Sequence, residues 1–410
     1  MIKSIKSVKV ENRRVVVRVG FDVPLKLNSH TEEYEVADEN RIKDALPTLK
    51  YLIENKAKIV IISHLDRPEG MWLKEKSMWP VAQVLGRLLN YKVVKVSSNQ
   101  LPNYPAAHIN FLDADIRQNG FAELSRKLNP GDILFLENMR FYKGEEENSE
   151  EFVNALAEFG DLFVNEAFSV AHRKEASTYG IAQKLPSYAG FSLTKEIEAL
   201  NKIIKHPNQP MVVVIGGAKI ADKIDTIHKL ADLAELVLVG GALANSFMKA
   251  KGYEIGKSKF SDLSLAKELL RNYKEKIVLP VDVVVGKSTE DHPRCVSIDK
   301  VRPGDTIFDV GPETIRKYSA MVKKAKTLVW NGPLGLIEYP KFAFGSLSVA
   351  RMFAARAKGK AYGVVGGGET VEVVDQAKVS EFIDHVSTGG GAMLEFLAGK
   401  SLPAIKVLEK

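Results

Sequence analysis

Short runs of β-branched and other apolar residues alternate with segments at helical spacing through the first half of the chain. Residues 14–19 and 58–63 have the composition of strands buried on both faces, whereas 41–55 and 79–90 have helical periodicity. This alternation predicts βαβ units and therefore a mostly parallel sheet with helices on both faces. In such sheets ligands bind beyond the carboxyl ends of the strands, so the residues that follow each strand are the candidate site.

The second half repeats the pattern, most clearly in segment 211–223, MVVVIGGAKIADK. A buried strand is predicted at 212–215, and it ends at two glycines before helical spacing begins. Glycines let a ligand approach the backbone closely, and free N–H groups at a helix N-terminus favour an anion. Lys219 and Lys223 are predicted to share one helix face, where a polyphosphate would relieve their repulsion. The alternative is an ordinary βα turn with two solvated lysines.

Further glycine-rich turns follow apolar runs at 240–241, 366–368 and 389–391. These open backbone edges predict a second doubly wound domain that suits a nucleotide. The pattern pauses near 185–190 and resumes after a helix predicted at 194–205. We therefore predict an α/β fold of two doubly wound parallel-sheet domains, 1–188 and 189–391, joined by this interdomain helix.

Arginines recur in the loops that follow the strands of the first half. Arg67, Arg140 and Arg173 fall where one crevice would gather them, and Arg41 opens the first helix nearby. Guanidinium groups bind phosphate and carboxylate bidentately, so converging arginines indicate a small, multiply anionic substrate. The alternative for any single arginine is a surface ion pair. Two histidines in these loops, His64 and His172, are each interpreted as a neutral hydrogen-bonding residue, a phosphate ligand or an acid/base group.

Composition narrows the classes of protein that this chain can represent. The 410 residues contain a single cysteine, Cys295, which permits no intrachain disulfide and no cysteine-rich metal site. We expect a cytoplasmic protein, because the sequence shows neither a signal peptide nor an apolar run of membrane-spanning length. The net charge of +7 is scattered among acidic residues, so we expect small phosphorylated ligands and neither nucleic acid nor membrane as partners.

Ten sequence blocks in order resemble the phosphoglycerate kinase family over nearly the whole chain. They are Arg41-Ile42 with Leu46-Pro47-Thr48, SHLDRP, LENMRF, the AHR of 171–173, IGGAKIADK, LPVD at 279–282, DVGPET, WNGPLG, GGGET and HVSTGGGA. The resemblance implies two domains facing a cleft, with 3-phosphoglycerate on the first and Mg²⁺-nucleotide on the second. It implies reversible phosphoryl transfer between 1,3-bisphosphoglycerate and ADP, a monomer, and a tail of about 392–410 that packs back on the first domain.

The resemblance also implies roles for individual residues. Arg41 and Lys219, with the backbone at Gly368, Gly390 and Gly391, would stabilise the transferring phosphoryl group. The phosphoglycerate ligands would be Asp22, Arg41, His64, Arg67, Arg140 and Arg173. The nucleotide ligands would be Gly217, Lys219, Lys223, Gly241, Asn331, Glu338, Gly367, Gly368 and Thr370, and Glu369 would meet Mg²⁺.

Several departures from the family pattern fall at these positions. The first strand ends in Gly20-Phe21-Asp22 where the family has Asp-Phe-Asn, so one ligand is missing and a carboxylate replaces an amide. Asp66 replaces a glycine, and Glu369 stands for the Asp that meets Mg²⁺. These changes leave two alternatives to an ordinary phosphoglycerate kinase. One is a kinase of the same fold with a different acyl-phosphate substrate, and the other is a catalytically silent nucleotide-binding protein.

Overall fold

The computed structural model describes residues 2–98, 100–101, 107–117 and 120–409, which form two compact units. The first unit contains the described residues up to Ile197 and those from Ser401 onward, and the second runs from Glu198 to Lys400. The division falls within one helix, Phe191–Ile204, in the region where the sequence predicts an interdomain helix. Residues 391–400 belong to the second unit, so a shorter terminal segment than the expected 392–410 joins the first.

The first unit is built on a seven-stranded sheet in which every neighbouring pair of strands is parallel. The order is β5-β6-β7-β4-β1-β8-β9, and a separate antiparallel hairpin is formed by β2 and β3. The strands are β1 (Arg14–Arg18), β2 (Leu25–Asn28), β3 (Glu33–Val36), β4 (Lys58–Ile62), β5 (Lys92–Val96), β6 (His108–Leu112), β7 (Ile133–Leu136), β8 (Leu162–Asn165) and β9 (Ser187–Ala189).

Both faces of the central strand β1 are buried. Val15 and Val17 of β1 pack in a core that includes Ile42 and Leu49, whereas Val16 points the other way and is also fully buried. Strands covered on both faces require apolar residues at successive positions, which explains the unbroken valine run. The helices are α1 (Asn40–Glu54), α2 (Trp79–Leu89), α3 (Ala122–Lys127), α4 (Lys143–Glu146), α5 (Glu150–Ala157), α6 (Ile181–Lys184) and α7 (Phe191–Ile204).

The second unit contains a six-stranded parallel sheet of order β12-β11-β10-β16-β17-β18. A three-stranded antiparallel sheet of order β14-β13-β15 accompanies it, so the strand predicted at 306–310 forms but lies outside the parallel sheet. The strands are β10 (Met211–Ile215), β11 (Leu236–Val239), β12 (Ile277–Val278), β13 (Asp282–Gly286), β14 (Arg294–Ser297), β15 (Thr306–Val310), β16 (Thr327–Asn331), β17 (Tyr362–Gly366) and β18 (His385–Ser387).

The core of the second unit contains the alternate β10 residues Val212 and Val214, with Trp330 of β16 and Phe353 of α12. The remaining helices are α8 (Ile224–Leu233), α9 (Gly241–Ala250), α10 (Leu263–Asn272), α11 (Pro312–Val322), α12 (Phe344–Lys360, with non-helical backbone at Lys358 and Gly359), α13 (Gly368–Gln376), α14 (Gly391–Leu397) and α15 (Pro403–Lys406). Among the described residues, none of the helices is both long and apolar enough to cross a membrane.

The predicted fold class is confirmed: the chain is α/β with two parallel sheets. The register aligns the strand ends on which the predicted site depends. Arg18 at the end of β1 pairs with Ile62 of β4 and with Asn165 of β8. In the second unit Asn331 of β16 pairs with Ile215 and with Gly366. The loops that follow these strands therefore begin at one edge of each sheet.

Candidate active sites of the two units

The predicted phosphoglycerate ligands follow four strands that are neighbours in the first sheet, β7-β4-β1-β8. Asp22 follows β1, His64 and Arg67 follow β4, Arg140 follows β7, and Arg173 follows β8. Arg41 lies in the first turn of α1. The carboxyl edge of one sheet thus carries the whole predicted set.

Asp22 lies at the centre of this set. Its Oδ1 accepts a hydrogen bond of 2.9 Å from the backbone N–H of Asp66, and its Oδ2 is 3.6 Å from Nε2 of His64. Arg41 donates to the backbone oxygen of Asp22, and its Nη1 is 3.8 Å from Oδ2. Burial alone would raise the pKa of Asp22, but His64, the Asp66 N–H and Arg41 together hold the pKa well below its usual range. Asp22 is therefore an anion that the site itself stabilises.

His64 is buried, with a side chain 2% exposed. Its Nδ1 lies 2.8 Å from Nη2 of Arg18, on the side of the ring opposite Asp22. Burial and the charges of Arg18 and Arg140 lower the pKa of His64, Asp22 opposes them, and the net result is a pKa of about 4. Of the three interpretations that the sequence left open, this environment favours a neutral hydrogen-bonding residue at pH 7.

Arg140 and Arg173 are joined through Glu175. Arg140 is buried, donates at 2.8 Å to Glu175 Oε1, and donates at 2.8 Å to the backbone oxygen of Asp66. Nη1 of Arg173 lies 3.5 Å from the same Glu175 oxygen. Burial alone would raise the pKa of Glu175, but Arg18 and Arg140 outweigh it and keep the pKa below its usual value. Glu175 thus stays ionised and positions two of the predicted ligands.

Arg67 lies in the loop after β4, three residues beyond His64, but its guanidinium is exposed. The hydrogen bond that ties it to the loop is made by its backbone N–H, which donates to Asp66 Oδ1 at 2.9 Å. Asp66 has left-handed backbone (φ 55°) and its carboxylate pairs with Lys76. Asp22 therefore contacts Arg41 and His64 directly. Asp66 links Asp22 to Arg140, and Glu175 links Arg140 to Arg173. The side chain of Arg67 faces solvent at the margin.

Sequence reasoning missed three buried charged residues beneath these ligands, Arg18, Glu145 and Glu175. Arg18 donates to His64, and Ser177 connects Arg18 to Glu145. A signal was present for Arg18, because it interrupts the apolar run of β1 at a position that the sheet must bury. No comparable periodic signal marks Glu145, which lies in the one-turn helix α4, or Glu175, which precedes a short π-helical turn at Ala176–Gly180.

In the second unit, glycine-rich turns follow β10, β11, β16, β17 and β18, five successive strands of the sheet. The turns pack backbone against backbone. A Cβ at Gly216 would lie 1.9 Å from the backbone oxygen of Pro333, so only glycine fits. This close packing uses the backbone N–H groups of Gly216, Gly217, Gly240 and Gly241, which donate to backbone oxygens of neighbouring strands and turns.

The prediction that Lys219 and Lys223 share a helix face is wrong. After β10 the chain runs as a loop through Lys219, makes a short 3₁₀ turn at Ala221–Lys223, and enters α8 only at Ile224. The physical reason is that tertiary contacts of Lys223 override its local helical spacing. Its Nζ donates to the Gly216 carbonyl at 2.9 Å and to Asn331 Oδ1 at 2.6 Å. The side chain of Lys219 is exposed in the loop.

Burial changes the acidity of Lys223. It lowers the pKa of the ammonium group to about 8, and the nearby Glu369 and Asp222 oppose this effect. Asn331 is itself fixed, because its Nδ2 donates at 2.7 Å to the Gly366 carbonyl. Lys223 and Asn331 thus connect the turns after β10, β16 and β17.

The turn after β17 leads directly into α13. Gly367 is the N-cap, with left-handed backbone (φ 94°), and Gly368, Glu369 and Thr370 form the first turn. Thr370 Oγ1 accepts a hydrogen bond of 2.6 Å from the N–H of Gly332, which holds the helix start against the turn after β16. A helix N-terminus with free N–H groups suits a phosphate. Gly391 is likewise the first residue of α14, after Gly390 with φ 52°.

A cavity of about 450 Å³ lies beside these turns, and it is lined largely by apolar residues. Four predicted residues line it: Gly217, Gly241, Glu338 and Glu369. Its size suits a small ligand with an aromatic base. The structure thus brings Gly217, Gly241, Glu338 and Glu369 to the cavity, and Lys223, Asn331, Gly367, Gly368 and Thr370 to the adjoining turns. Lys219 lies in the loop beside them, and Gly391 follows the end strand β18.

Glu369 is the candidate metal ligand. Across the described residues no three His, Cys, Asp or Glu side chains form a cluster that could hold a metal by themselves. Glu369 is an exposed carboxylate in the first turn of α13. This donor set fits Mg²⁺ held by one carboxylate together with substrate phosphates, which is how Mg²⁺ usually binds at nucleotide sites.

Known proteins match the chain from end to end. The phosphoglycerate kinase family model matches residues 5–400. The phosphoglycerate kinase of Moorella thermoacetica is 42% identical over 412 residues, covering 99% of this chain and 98% of the relative. That of Finegoldia magna is 40% identical over 416 residues, covering 100% and 99%.

Solved structures agree with the sequence relatives. The structure of phosphoglycerate kinase from Coxiella burnetii superposes with a TM-score of 0.83 at 37% identity, covering 100% of this chain and 99% of that one. The phosphoglycerate kinase of Pyrococcus horikoshii gives 0.82 at 29% identity, covering 100% and 98%. Because the family model spans nearly all of the sequence and these relatives match it along its whole length, the chain belongs to the phosphoglycerate kinase family.

Proposed function

We propose that this chain catalyses reversible transfer of a phosphoryl group between the acyl phosphate of 1,3-bisphosphoglycerate and ADP, giving 3-phosphoglycerate and ATP. The observation that carries the proposal is that the two sheets of this phosphoglycerate kinase family member carry different kinds of candidate binding site. The carboxyl edge of the first carries a network of arginines around His64, and that of the second carries glycine turns, a buried lysine and an apolar cavity. The first suits a small anion and the second a nucleotide.

On the first unit, the proposed phosphoglycerate ligands are Asp22, Arg41, His64, Arg67, Arg140 and Arg173. The arginines supply charge-assisted hydrogen bonds to phosphate and carboxylate, and their fixed partners set the directions of those bonds. His64, as a neutral imidazole, donates a hydrogen bond to the phosphoglycerate. Arg41 has the further role of stabilising charge on the transferring phosphoryl group, because its guanidinium is half-exposed and, among the described residues, pairs with Asp22.

On the second unit, the proposed nucleotide ligands are the backbone of the glycine turns with Lys223, Asn331 and Thr370, and Glu338 at the ribose. Lys219 joins Arg41 at the transferring group, since its side chain is exposed in the loop after β10. The N–H groups of Gly368 and Gly391 stabilise charge on the phosphoryl oxygens. Direct transfer requires the two bound substrates to meet in line, so the proposed mechanism includes closure of the two domains.

Glu369 would hold Mg²⁺ together with the nucleotide phosphates. When bound, the ion neutralises charge on the phosphate oxygens. A glutamate reaches further than the aspartate usual at this position, and its place in an exposed first turn leaves the side chain room to adjust. The proposal also includes functional domains that correspond to the two units, a monomeric protein and a cytoplasmic location.

The test is ADP formation by the purified protein with Mg-ATP, with and without 3-phosphoglycerate, while a coupling dehydrogenase removes 1,3-bisphosphoglycerate. Turnover that depends on 3-phosphoglycerate is expected. A panel of other small carboxylates serves as the control for acceptor preference. Nucleotide binding without turnover on any acceptor contradicts the proposal, as does stronger activity with another carboxylate.

A further inference from the structure

Arg18 is a fully buried arginine within β1, and the predicted ligand set does not include it. Each nitrogen of its guanidinium has a partner. Nε donates to Ser177 Oγ at 2.8 Å, Nη1 donates to the Val19 carbonyl at 2.5 Å, and Nη2 lies 2.8 Å from Nδ1 of His64. Three contacts in different directions fix the guanidinium in one orientation.

The contact between Arg18 and His64 determines where the imidazole carries its proton. A guanidinium has donors and no acceptor, so Nδ1 of His64 must present its lone pair to Arg18. The ring proton must then be on Nε2. That nitrogen faces the carboxylate of Asp22 at 3.6 Å, and a carboxylate can only accept. Both neighbours of the ring therefore require the same neutral tautomer.

We propose that Arg18 is a positioning residue for the phosphoryl-transfer site: it donates to Nδ1 of His64 and so keeps the imidazole neutral, with its proton on Nε2 directed at the phosphoglycerate position. The role of His64 as a substrate ligand rests on the proposed function, whereas the tautomer is a property of the free protein. Arg18 acts through His64 and is not itself a catalytic residue.

The charges around His64 support this assignment. The groups that face it are Arg18 from β1, Asp22 from the loop after β1, Arg140 from the turn after β7, and Glu175 from the segment after β8. Burial and the two arginines lower the pKa of the imidazole, Asp22 opposes them, and the net pKa is about 4. Protonation of Nδ1 would also break the bond to Arg18. His64 is thus a donor of constant charge across neutral pH.

A second layer holds Arg18 in place. Ser177 Oγ accepts from Arg18 and donates at 2.5 Å to Glu145 Oε1, and the Ser177 N–H donates at 2.9 Å to Glu145 Oε2. Ser177 and Glu145 thereby fix the rotamer of Arg18 from the side remote from His64. Each donor in this chain has its own acceptor. Arg18 donates to Nδ1 of His64 and to Ser177 Oγ, and the Ser177 hydroxyl donates to Glu145.

The direct test is two-dimensional ¹⁵N–¹H NMR of the imidazoles in ligand-free protein, with the His64 signal assigned by its loss in His64→Gln. We expect the Nε2–H tautomer at pH 7 and no protonation of His64 down to about pH 5. An Nδ1–H tautomer, or a doubly protonated ring at pH 7, overturns the proposal. The experiment needs neither substrate nor turnover, so its failure is distinct from failure of the proposed function.

Two variants separate positioning from a purely structural role. Arg18→Met removes the donor, and we expect a tautomer mixture. The substrate phosphate titrates near pH 6, so the KM for 3-phosphoglycerate is divided by the wild-type KM at the same pH; this ratio should fall roughly threefold between pH 7 and pH 5 as His64 becomes charged. Arg18→Lys keeps a donor-only group at Nδ1, so the wild-type tautomer and a KM ratio that is constant with pH are expected to return. His228, in the second unit, is the control whose signals should not change.

A folded Arg18→Met protein whose His64 keeps the Nε2–H tautomer, and whose KM relative to wild type stays constant with pH, contradicts the proposal. Loss of fold is detected separately by circular dichroism. In that case the tautomer of His64 in the wild-type protein decides the question alone.

Discussion

Nζ of Lys223 donates a 2.6 Å hydrogen bond to Oδ1 of Asn331, and this bond joins the turn after β10 to the end of β16. The ammonium group is largely buried, and burial lowers its pKa to about 8. A nucleotide phosphate beside Lys223 favours the charged form, so binding of nucleotide should be coupled to uptake of a proton near this pH.

We expect nucleotide affinity to fall about tenfold for each pH unit above 8, because the neutral amine no longer attracts phosphate. Calorimetric titration near pH 8 in buffers of different ionisation enthalpy should show uptake of roughly half a proton. Lys223→Arg should abolish this pH dependence, since guanidinium stays charged. Lys229→Ala, on the same helix α8, is the matched control and should behave as wild type. Equal affinity of the wild-type protein at pH 7 and pH 9.5 contradicts the prediction.

Arg41→Ala should lower kcat by roughly a hundredfold or more while changing the KM for nucleotide little. The reason is that Arg41 has one local partner, Asp22, and its charge is used chiefly when charge develops on the transferring phosphoryl group. Steady-state kinetics with both substrates measure the two effects. Arg87→Ala removes an exposed arginine paired with Glu39 and is expected to leave kcat unchanged. A variant of Arg41 affected only in KM would refute the role.

Asp22→Asn should lower the KM for 3-phosphoglycerate about fivefold, because it removes an anion that faces an anionic substrate. The amide oxygen can still accept from the Asp66 N–H, so the loop geometry should persist. Asp66→Asn removes a neighbouring carboxylate that is exposed and paired with Lys76, and should change the KM by less than about twofold. Loss of activity in Asp22→Asn would instead show that substrate binding requires the negative charge of Asp22 and not only a hydrogen-bonding side chain at this position.

Gly20→Asp combined with Asp22→Asn restores the family pattern at both positions. A Cβ at Gly20 would lie 3.6 Å from Ser169 Oγ, which is an ordinary van der Waals distance, and the position has no backbone requirement for glycine. We expect the double variant to fold and to bind 3-phosphoglycerate at least as tightly as Asp22→Asn. Weaker binding in the double variant than in the single one would contradict this, and steady-state KM values for 3-phosphoglycerate decide between them.

The sequence predicted those features of the fold and site that depend on local residue patterns. Runs of β-branched residues marked the parallel strands, and the position after each strand marked Asp22, His64 and Arg140 as neighbours at one sheet edge. It did not predict the charged layer beneath them, because the burial of Arg18 depends on Ser177 and His64, which are distant in the chain. The start of α8 was misplaced for a similar reason: contacts of Lys223 with Gly216 and Asn331 outweigh local helical spacing.

Asp309 provides a test of stability against pH. Its side chain is 2% exposed, its two oxygens accept from the N–H groups of Val310 and Gly345, and burial raises its pKa from the usual aspartate value of 3.8 to about 7. A raised folded-state pKa means that the folded protein holds this proton more tightly than the unfolded chain. The stabilisation is therefore complete below pH 3.8 and is lost as pH rises to 7, a change of about 4 kcal/mol.

Asp309→Asn imitates the protonated acid and lacks this titration, so its stability relative to wild type should increase between pH 4.5 and pH 8. Urea denaturation at the two pH values measures the difference. Burial also raises the pKa of Glu145 and of Glu166 to about 7, but both residues are present in wild type and variant, so their contributions cancel. Glu381→Gln removes an exposed carboxylate from the same unit and should show no such trend. A difference between Asp309→Asn and wild type that stays constant with pH would show that Asp309 is ionised in the folded protein at both pH values.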